Sequence, residues 1–227
     1  WAKKRIDNKL TLKLFGIFAL GGLQGFIGWF MVQSGLEVRT SVSPYRLALH
    51  LGFALLVYAL LLWVGLMLTK IKRTGSTWCL RRHGWVTLGF LVVTMAWGAF
   101  VAGLHAGEAY NTWPLMDGQI VPDAAFTILP KYLNVFENLV LVQFIHRWLG
   151  PITMLVVLTW SYRLIHFFPA NDRKWPHALG GMAVVQVMLG LATLLTHANI
   201  VLATLHQAGA ITLLTLLLIN IYRLRKA

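Results

Sequence analysis

The stretch VFENLVLVQFIHRWLGPITMLVVLTW (residues 135–160) decides the fold class of this sequence. It is predominantly apolar over more than the roughly 20 residues that a helix needs to cross a bilayer. Within it, QFIHRWLG (residues 143–150) places a histidine and an arginine side by side at membrane depth. Ionisable side chains are costly there and usually serve a function. The stretch therefore predicts a membrane-spanning helix that carries part of a functional site.

The composition extends this prediction to the whole chain. Only 12% of the 227 residues are charged, about half the usual share in a soluble domain. The formal net charge of +13 does not indicate nucleic-acid binding here, because the basic residues flank apolar runs, where they set membrane topology. The single cysteine, Cys79, excludes an intrachain disulfide and a cysteine-based metal site.

Six apolar runs are long enough to span a bilayer, and they cover residues 10–32, 44–68, 84–104, 135–165, 178–196 and 200–222. They predict an all-α, polytopic membrane helix bundle with six transmembrane helices. Basic residues cluster before the first run, between the second and third, between the fourth and fifth, and after the sixth, which is one side of a six-helix zigzag. The positive-inside rule makes this side, with both termini, cytoplasmic, or the matrix side if the membrane is mitochondrial.

The longest connection, residues 105–134, falls on the outer side. It contains AGEAYNTWPLMDG, which is rich in polar and aromatic residues. Connections of this length in a helix bundle are often functional. Two interpretations stay open, a lid over a site at the outer face and a solvated spacer.

An internal repeat relates the first two helices to the last two, in the same orientation. GGLQGFIGWFMV (residues 21–32) aligns with AVVQVMLGLATL (residues 183–194), and ALHLGFALLVYALLLW (residues 48–63) aligns with TLHQAGAITLLTLLLI (residues 204–219). The matched residues are Gln24 with Gln186, Gly28 with Gly190, and His50 with His206. Helices three and four have no counterpart before helix one. If the unit has four helices, we expect the last six helices of an eight-helix protein, with residues 1–82 ending the first unit and residues 83–227 forming the complete second unit.

Three of the eight histidines lie at a comparable depth on three separate helices. His50, His146 and His206 are predicted about 9 to 17 Å below the outer helix ends. A lone membrane histidine often bonds a neighbouring helix, but three at one level favour a ligand site. Carboxylates are nearly absent from the helices, which disfavours zinc and di-iron, whereas a facing pair of imidazoles suits haem iron. His146 and His206 then form the pair, and His50 is left without a partner.

Two arginines accompany these histidines. Arg46 lies one turn from His50, and Arg147 adjoins His146. Either guanidinium can pair with a haem propionate. The alternative is that the side chains only reach toward the interface, which suits Arg46 better than the deeper Arg147.

Five motifs, in order, resemble the haem A synthase family, especially its alphaproteobacterial and mitochondrial branch. They are GGLQGFIGWFMVQSGL, VSPYRLALHLG, AGLHAGEAYNTWPLMDG, QFIHRWLG and TLHQAGA, and they extend over essentially the whole chain. The resemblance implies eight helices in two four-helix halves, with haem b in the C-terminal half and the substrate, haem O, in the N-terminal half. It implies an oxidoreductase that converts one porphyrin methyl group to a formyl group, giving haem A for terminal oxidases.

The resemblance also implies roles for individual residues. His146 and His206 correspond to the iron ligands of haem b, with Arg147 as a further haem-binding residue, and His50 with Arg46 belongs to the substrate site. The family's second substrate-site histidine and a glutamate of the Glu-x-x-His type have no match here. We therefore assign no catalytic residue and expect this chain alone to be inactive. The implied partners are the lipid bilayer, haem O, haem O synthase and an electron acceptor, with homo-oligomerisation left open.

Two other functions compete with this interpretation. A b-type cytochrome that only carries electrons would need histidines on both sides of the membrane, and the candidates here lie in the outer half. A haem-handling transporter would need broken half-helices at mid-membrane, and none is evident in the sequence. The oxidoreductase of a bacterial plasma membrane, or of a mitochondrial inner membrane, is therefore favoured.

Overall fold

The computed structural model describes residues 7–33 and 42–226, and these ranges fold into seven α-helices. Six of the seven are long and apolar enough to cross a membrane, so the predicted all-α membrane bundle is confirmed. The helices are α1 (Asn8–Gln33), α2 (Pro44–Leu68), α3 (Trp78–Gly103), the short α4 (Asn134–Glu137), α5 (Leu139–Phe167), α6 (Lys174–Leu195) and α7 (Ile200–Arg223).

The long helices pack mainly on their neighbours in sequence, and α7 returns to contact α2 and α3. This return makes α3, α5, α6 and α7 a closed group, with α2 beside it and α1 packed chiefly on α2. The core of the group centres on Trp160, Leu164 and Leu217, all fully buried. The division after residue 82 stays a prediction, and it falls inside the first turns of α3.

The third spanning helix begins six residues earlier than the sequence pattern predicts, at Trp78 instead of residue 84. The side-chain oxygen of Thr77 accepts the amide hydrogen of Leu80, which caps the new start. The basic residues Arg81 and Arg82 therefore lie on the first helical turns. Long cationic side chains can do so because their stems lie on apolar surface while their charged ends stay in water.

The fourth predicted helix, residues 135–165, is interrupted at Asn138. The side-chain oxygen of Asn138 accepts the amide hydrogens of Val140 at 2.9 Å and Leu141 at 3.2 Å, so that a new helix begins there. Because α5 begins at Leu139, His146 lies seven residues from the start of its helix, nearer to the helix end than predicted. His50 and His206 each stand six residues after the start of their helices. The three histidines are therefore closer to one level than the unbroken helix implied.

Candidate functional site

The structure brings two of the three predicted histidines together. The imidazole rings of His146 on α5 and His206 on α7 have centroids 6.5 Å apart and planes at 86°. Two imidazoles that bind one metal ion from opposite sides, each through a bond of about 2 Å, have centroids about 6 to 6.5 Å apart. The spacing of the pair would thus allow the two rings to hold one metal ion between them. Nδ1 of His146 is buried and has no hydrogen-bond partner among the described residues.

Each histidine ring lies against a glycine of the preceding long helix. A Cβ placed on Gly190 would lie 2.8 Å from Cε1 of His206, and one on Gly98 would lie 3.1 Å from Cε1 of His146. Carbon atoms in ordinary contact stay farther apart than this. The absence of a side chain at these two positions therefore gives the rings the room they occupy.

A glutamine one turn before the glycine holds the ring of His206. Nε2 of Gln186 donates to the backbone carbonyl oxygen of His206 at 2.9 Å and lies 3.1 Å from its Nδ1. Oε1 of Gln186 is buried and lacks a partner within the described part of the chain. The amide thus contacts the ring at one atom and the backbone of His206 at another, and its oxygen makes no hydrogen bond among the described residues.

The same arrangement surrounds His50 on α2. A Cβ on Gly28 would lie 3.0 Å from its Cε1, and Nε2 of Gln24 lies 3.1 Å from both its Nδ1 and its backbone carbonyl oxygen. Within residues 7–33 and 42–226 there is no group of three or more His, Cys, Asp or Glu residues that could hold a metal ion. The predicted role of His50 in a substrate site stays a prediction.

The structure also reveals a third copy of this unit, which the sequence comparison missed. Thr94 stands four residues before Gly98, as the glutamines stand four residues before their glycines. Its hydroxyl makes a 2.6 Å hydrogen bond with that of Thr153 on α5. The helix pairs α1 with α2, α3 with α5, and α6 with α7 therefore share one pattern, a polar residue and a glycine facing a histidine. The four-residue spacing between the polar residue and the glycine is the sequence signal for this third copy. Threonine in place of glutamine makes the signal harder to recognise.

Arg147 ties the outer connection to α5. The side chain is only 7% exposed, and it donates to the backbone carbonyl oxygens of Tyr110 at 3.4 Å, Thr112, and Leu115 at 3.3 Å. Its guanidinium also lies 5.4 Å from the ring centroid of Trp113. The guanidinium of Arg147 therefore holds the connection of residues 105–134 against α5. Its predicted role in binding a haem propionate stays a prediction.

The connection of residues 105–134, predicted to lie on the outer side, packs against the first turns of α5. Met116 is 1% exposed and Ala125 is fully buried, and both pack with Val140 and Leu141. A spacer exposed to solvent along its length would not bury these side chains. The packing favours the interpretation of the connection as a cover over the outer face.

Arg46, in the first turn of α2, contacts the end of α1. It donates to the backbone carbonyl oxygen of Phe30 at 2.7 Å, and its guanidinium lies 3.7 Å from the centroid of the Phe30 ring. The carbonyl belongs to the last turn of α1. Arg46 therefore ties the start of α2 to the end of α1, and its assignment to a substrate site stays a prediction.

Comparison with known proteins decides the family. The COX15-CtaA family model, described as cytochrome oxidase assembly protein, matches residues 1–218. The chain belongs to this family. The paired histidines at 6.5 Å and the six spanning helices are thus features of a member of this family.

Similar members of the family carry one name, heme A synthase. The chain is 49% identical to the heme A synthase of Rhodospirillum centenum, over 99% of this chain and 61% of that protein. It is 42% identical to that of Nitrosomonas eutropha, over 94% of this chain and 62% of that protein, and 43% identical to that of Granulibacter bethesdensis, over 99% and 60%. The chain thus spans about three fifths of the length of these curated relatives. No solved structure matches the chain significantly.

Proposed function

We propose that this chain is part of a haem A synthase, an oxidoreductase that converts one methyl group of haem O to a formyl group. The observation that carries the proposal is the facing pair of His146 and His206, with ring centroids 6.5 Å apart. The names of the relatives, at up to 49% identity, support the same reaction. The product, haem A, would serve terminal oxidases, which agrees with the family description of oxidase assembly.

His146 and His206 would hold haem b. When bound, its iron passes electrons one at a time by alternating between two oxidation states. If a metal were held at Nε2 of His206, the ring proton would sit on Nδ1. Oε1 of Gln186 makes no hydrogen bond among the described residues and would accept a hydrogen bond from this N–H after a rotation of the amide, which would release the bond of Nε2 to the carbonyl oxygen of His206. Such an acceptor raises the basicity of the ligand.

His50, with Arg46 one turn away, would bind the substrate haem O. The support for this assignment is that Gln24 and Gly28 surround His50 as Gln186 and Gly190 surround His206. Oxidation of a methyl to a formyl group takes up one water molecule and releases four electrons and four protons. An electron acceptor must therefore exist, and we assign neither this acceptor nor a catalytic base to the described residues.

The proposed location is the inner (plasma) membrane of a bacterium, or the mitochondrial inner membrane in a eukaryote. The relatives above are bacterial. The basic residues near one set of helix ends support a cytoplasmic location for both termini by the positive-inside rule. The His146–His206 pair would then lie in the outer half of the bilayer.

The first experiment tests the haem site. The purified chain, reconstituted with haem b in lipid nanodiscs, is compared with His146→Ala, His206→Ala and His50→Ala in a reduced-minus-oxidised spectrum with haem quantified as the pyridine complex. We expect a low-spin b-type spectrum in the wild type and in His50→Ala, and its loss in the other two. An unchanged spectrum in His146→Ala or His206→Ala would refute the assignment. Conversion of haem O to haem A is then measured by chromatography and mass spectrometry with the complete protein.

A further inference from the structure

A cavity lies at the opposite end of the bundle from the histidine pair, between α2, α3 and α7. Its volume is about 280 Å³. Two arginines, two tryptophans and two buried aliphatic residues line it, namely Trp63, Arg81, Trp85, Ile221, Leu224 and Arg225. The cavity thus combines cationic and aromatic groups at the ends of membrane-spanning helices.

The two arginines that line this cavity have no acidic partner among the described residues. Of the acids at this end of the bundle, Asp172 pairs with Arg223 at 3.2 Å, and Asp7 accepts the amide hydrogen of Leu10. The guanidinium of Arg225 lies 5.3 Å from the centroid of the Trp63 ring. Two guanidinium groups therefore face one cavity with their charge uncompensated by the described part of the protein.

The backbone around the cavity is held in place. The connection between α2 and α3 donates to the end of α7, through the amides of Thr74 and Gly75 to the carbonyl oxygens of Arg223 and Arg225, both at 2.9 Å. The hydroxyl of Ser76 donates to the carbonyl oxygen of Leu224 at 3.2 Å. These donors satisfy helix-end carbonyls that would otherwise repel an anion. The connection thus fixes the backbone position of Arg225 and partly offsets the negative end of the helix dipole of α7.

We propose that this cavity binds the phosphate group of an anionic phospholipid, with Arg81 and Arg225 as its ligands. Guanidinium groups bind phosphate oxygens in pairs of hydrogen bonds. Tryptophans concentrate at the level of lipid headgroups, and the Trp85 ring, 55% exposed, offers an apolar surface to the glycerol and upper acyl chain. Arg81 stands on the first turn of α3, where the helix dipole also favours an anion.

The test measures which lipid the purified protein retains. Native mass spectrometry compares retention of phosphatidylglycerol with that of phosphatidylcholine, and inorganic phosphate is a third probe followed by thermal unfolding. The cavity variant is Arg81→Gln with Arg225→Gln. The control is Arg82→Gln with Lys226→Gln, which removes the same charge from exposed neighbours outside the cavity. We expect the wild type and the control to prefer phosphatidylglycerol on the order of tenfold, and the cavity variant to lose that preference.

Each other outcome would overturn the proposal. Equal losses in the cavity variant and the control would mean that general surface charge attracts the lipid. Retention of the preference in the cavity variant would mean that the two arginines are not ligands. Stabilisation by inorganic phosphate equal to that by phosphatidylglycerol would assign the cavity to a free anion. If the double variant does not fold, Arg225→Gln alone, at an exposed position beyond α7, is expected to lower the preference several-fold, and an unchanged preference there would refute the site.

Discussion

Replacement of Gly190 by alanine tests whether the glycine positions His206. The new Cβ would lie 2.8 Å from Cε1 of the ring, whereas ordinary contact begins at 3.4 Å. The ring would have to withdraw from α6 by the difference, about 0.6 Å, and the 3.1 Å contact between Nδ1 and Nε2 of Gln186 would lengthen to about 3.7 Å, beyond hydrogen-bond range. Overpacking of this kind costs about 1 to 3 kcal/mol.

The assay is haem b titration of the purified protein in nanodiscs. If this cost of about 1 to 3 kcal/mol displaces the ring of His206, the affinity for haem b falls by about 5- to 150-fold. The amplitude of the low-spin spectrum falls with it. Gly181→Ala is the matched control on the same helix, because a Cβ there meets no heavy atom within 4 Å. Gly28→Ala crowds His50 at 3.0 Å and should leave binding at the His146–His206 pair unchanged.

The reasoning fails if Gly190→Ala binds haem b as tightly as the wild type, since the ring would then have freedom that the contacts do not give it. It also fails if Gly181→Ala weakens binding as much as Gly190→Ala does. In that case glycine would act through the flexibility of α6, and the space beside His206 would be irrelevant.

Three further predictions concern Gln186, Asn138 and Arg147. Gln186→Leu should raise the midpoint potential of the bound haem and Gln186→Glu should lower it, each on the order of 60 mV in a redox titration, and identical potentials would exclude a contact with the ligand proton. Asn138→Ala removes the cap of α5 and the hydrogen bonds that Nδ2 donates to Ala124 and Asn134. The cap alone contributes about 1 kcal/mol, so the unfolding temperature should fall by at least about 2 to 4 °C. An unchanged temperature would show that these hydrogen bonds do not stabilise the protein. Arg147→Gln removes hydrogen bonds to carbonyl groups of residues 110–115 and should cost about 1.5 to 3 kcal/mol. Hydrogen exchange of the backbone amides in this segment should therefore accelerate. Equal acceleration in the control Arg163→Gln would contradict the contact.

The spanning helices were predictable because membrane insertion demands long apolar runs, and α2 matches its predicted bounds. Helix ends were less predictable, since they depend on single hydrogen bonds. Asn138 divides the predicted helix by capping two amides. Asparagine is a favoured N-cap residue, but the length of the apolar run alone does not register it. The cap at Thr77 extends α3 into a basic segment that looked like a loop.

The candidate site was predictable in its residues and only partly in its geometry. Depth and the repeat selected His50, His146 and His206, and the structure brings the last two together. Depth alone does not say which helices face each other, because that follows from the return of α7 to α3. The close approach of Gly98 and Gly190 to the rings also needs three-dimensional packing, which the sequence expresses only as a recurring spacing.

The ring of His206 contacts a glutamine side chain, whereas among the described residues no side chain makes a hydrogen bond with Nδ1 of His146. This difference predicts that the two single alanine variants retain different amounts of haem b. Nδ1 of His206 is contacted by Nε2 of Gln186, which also donates to the backbone carbonyl oxygen of His206. No side chain in the described part of the protein makes a hydrogen bond with Nδ1 of His146, and the hydroxyl of Thr94 is engaged with Thr153. A ligand that is already positioned loses less entropy when it binds. His146→Ala, which keeps His206, should therefore retain more high-spin haem b in a titration than His206→Ala, which keeps His146. The opposite order would mean that Gln186 holds His206 in an orientation unsuited to the iron.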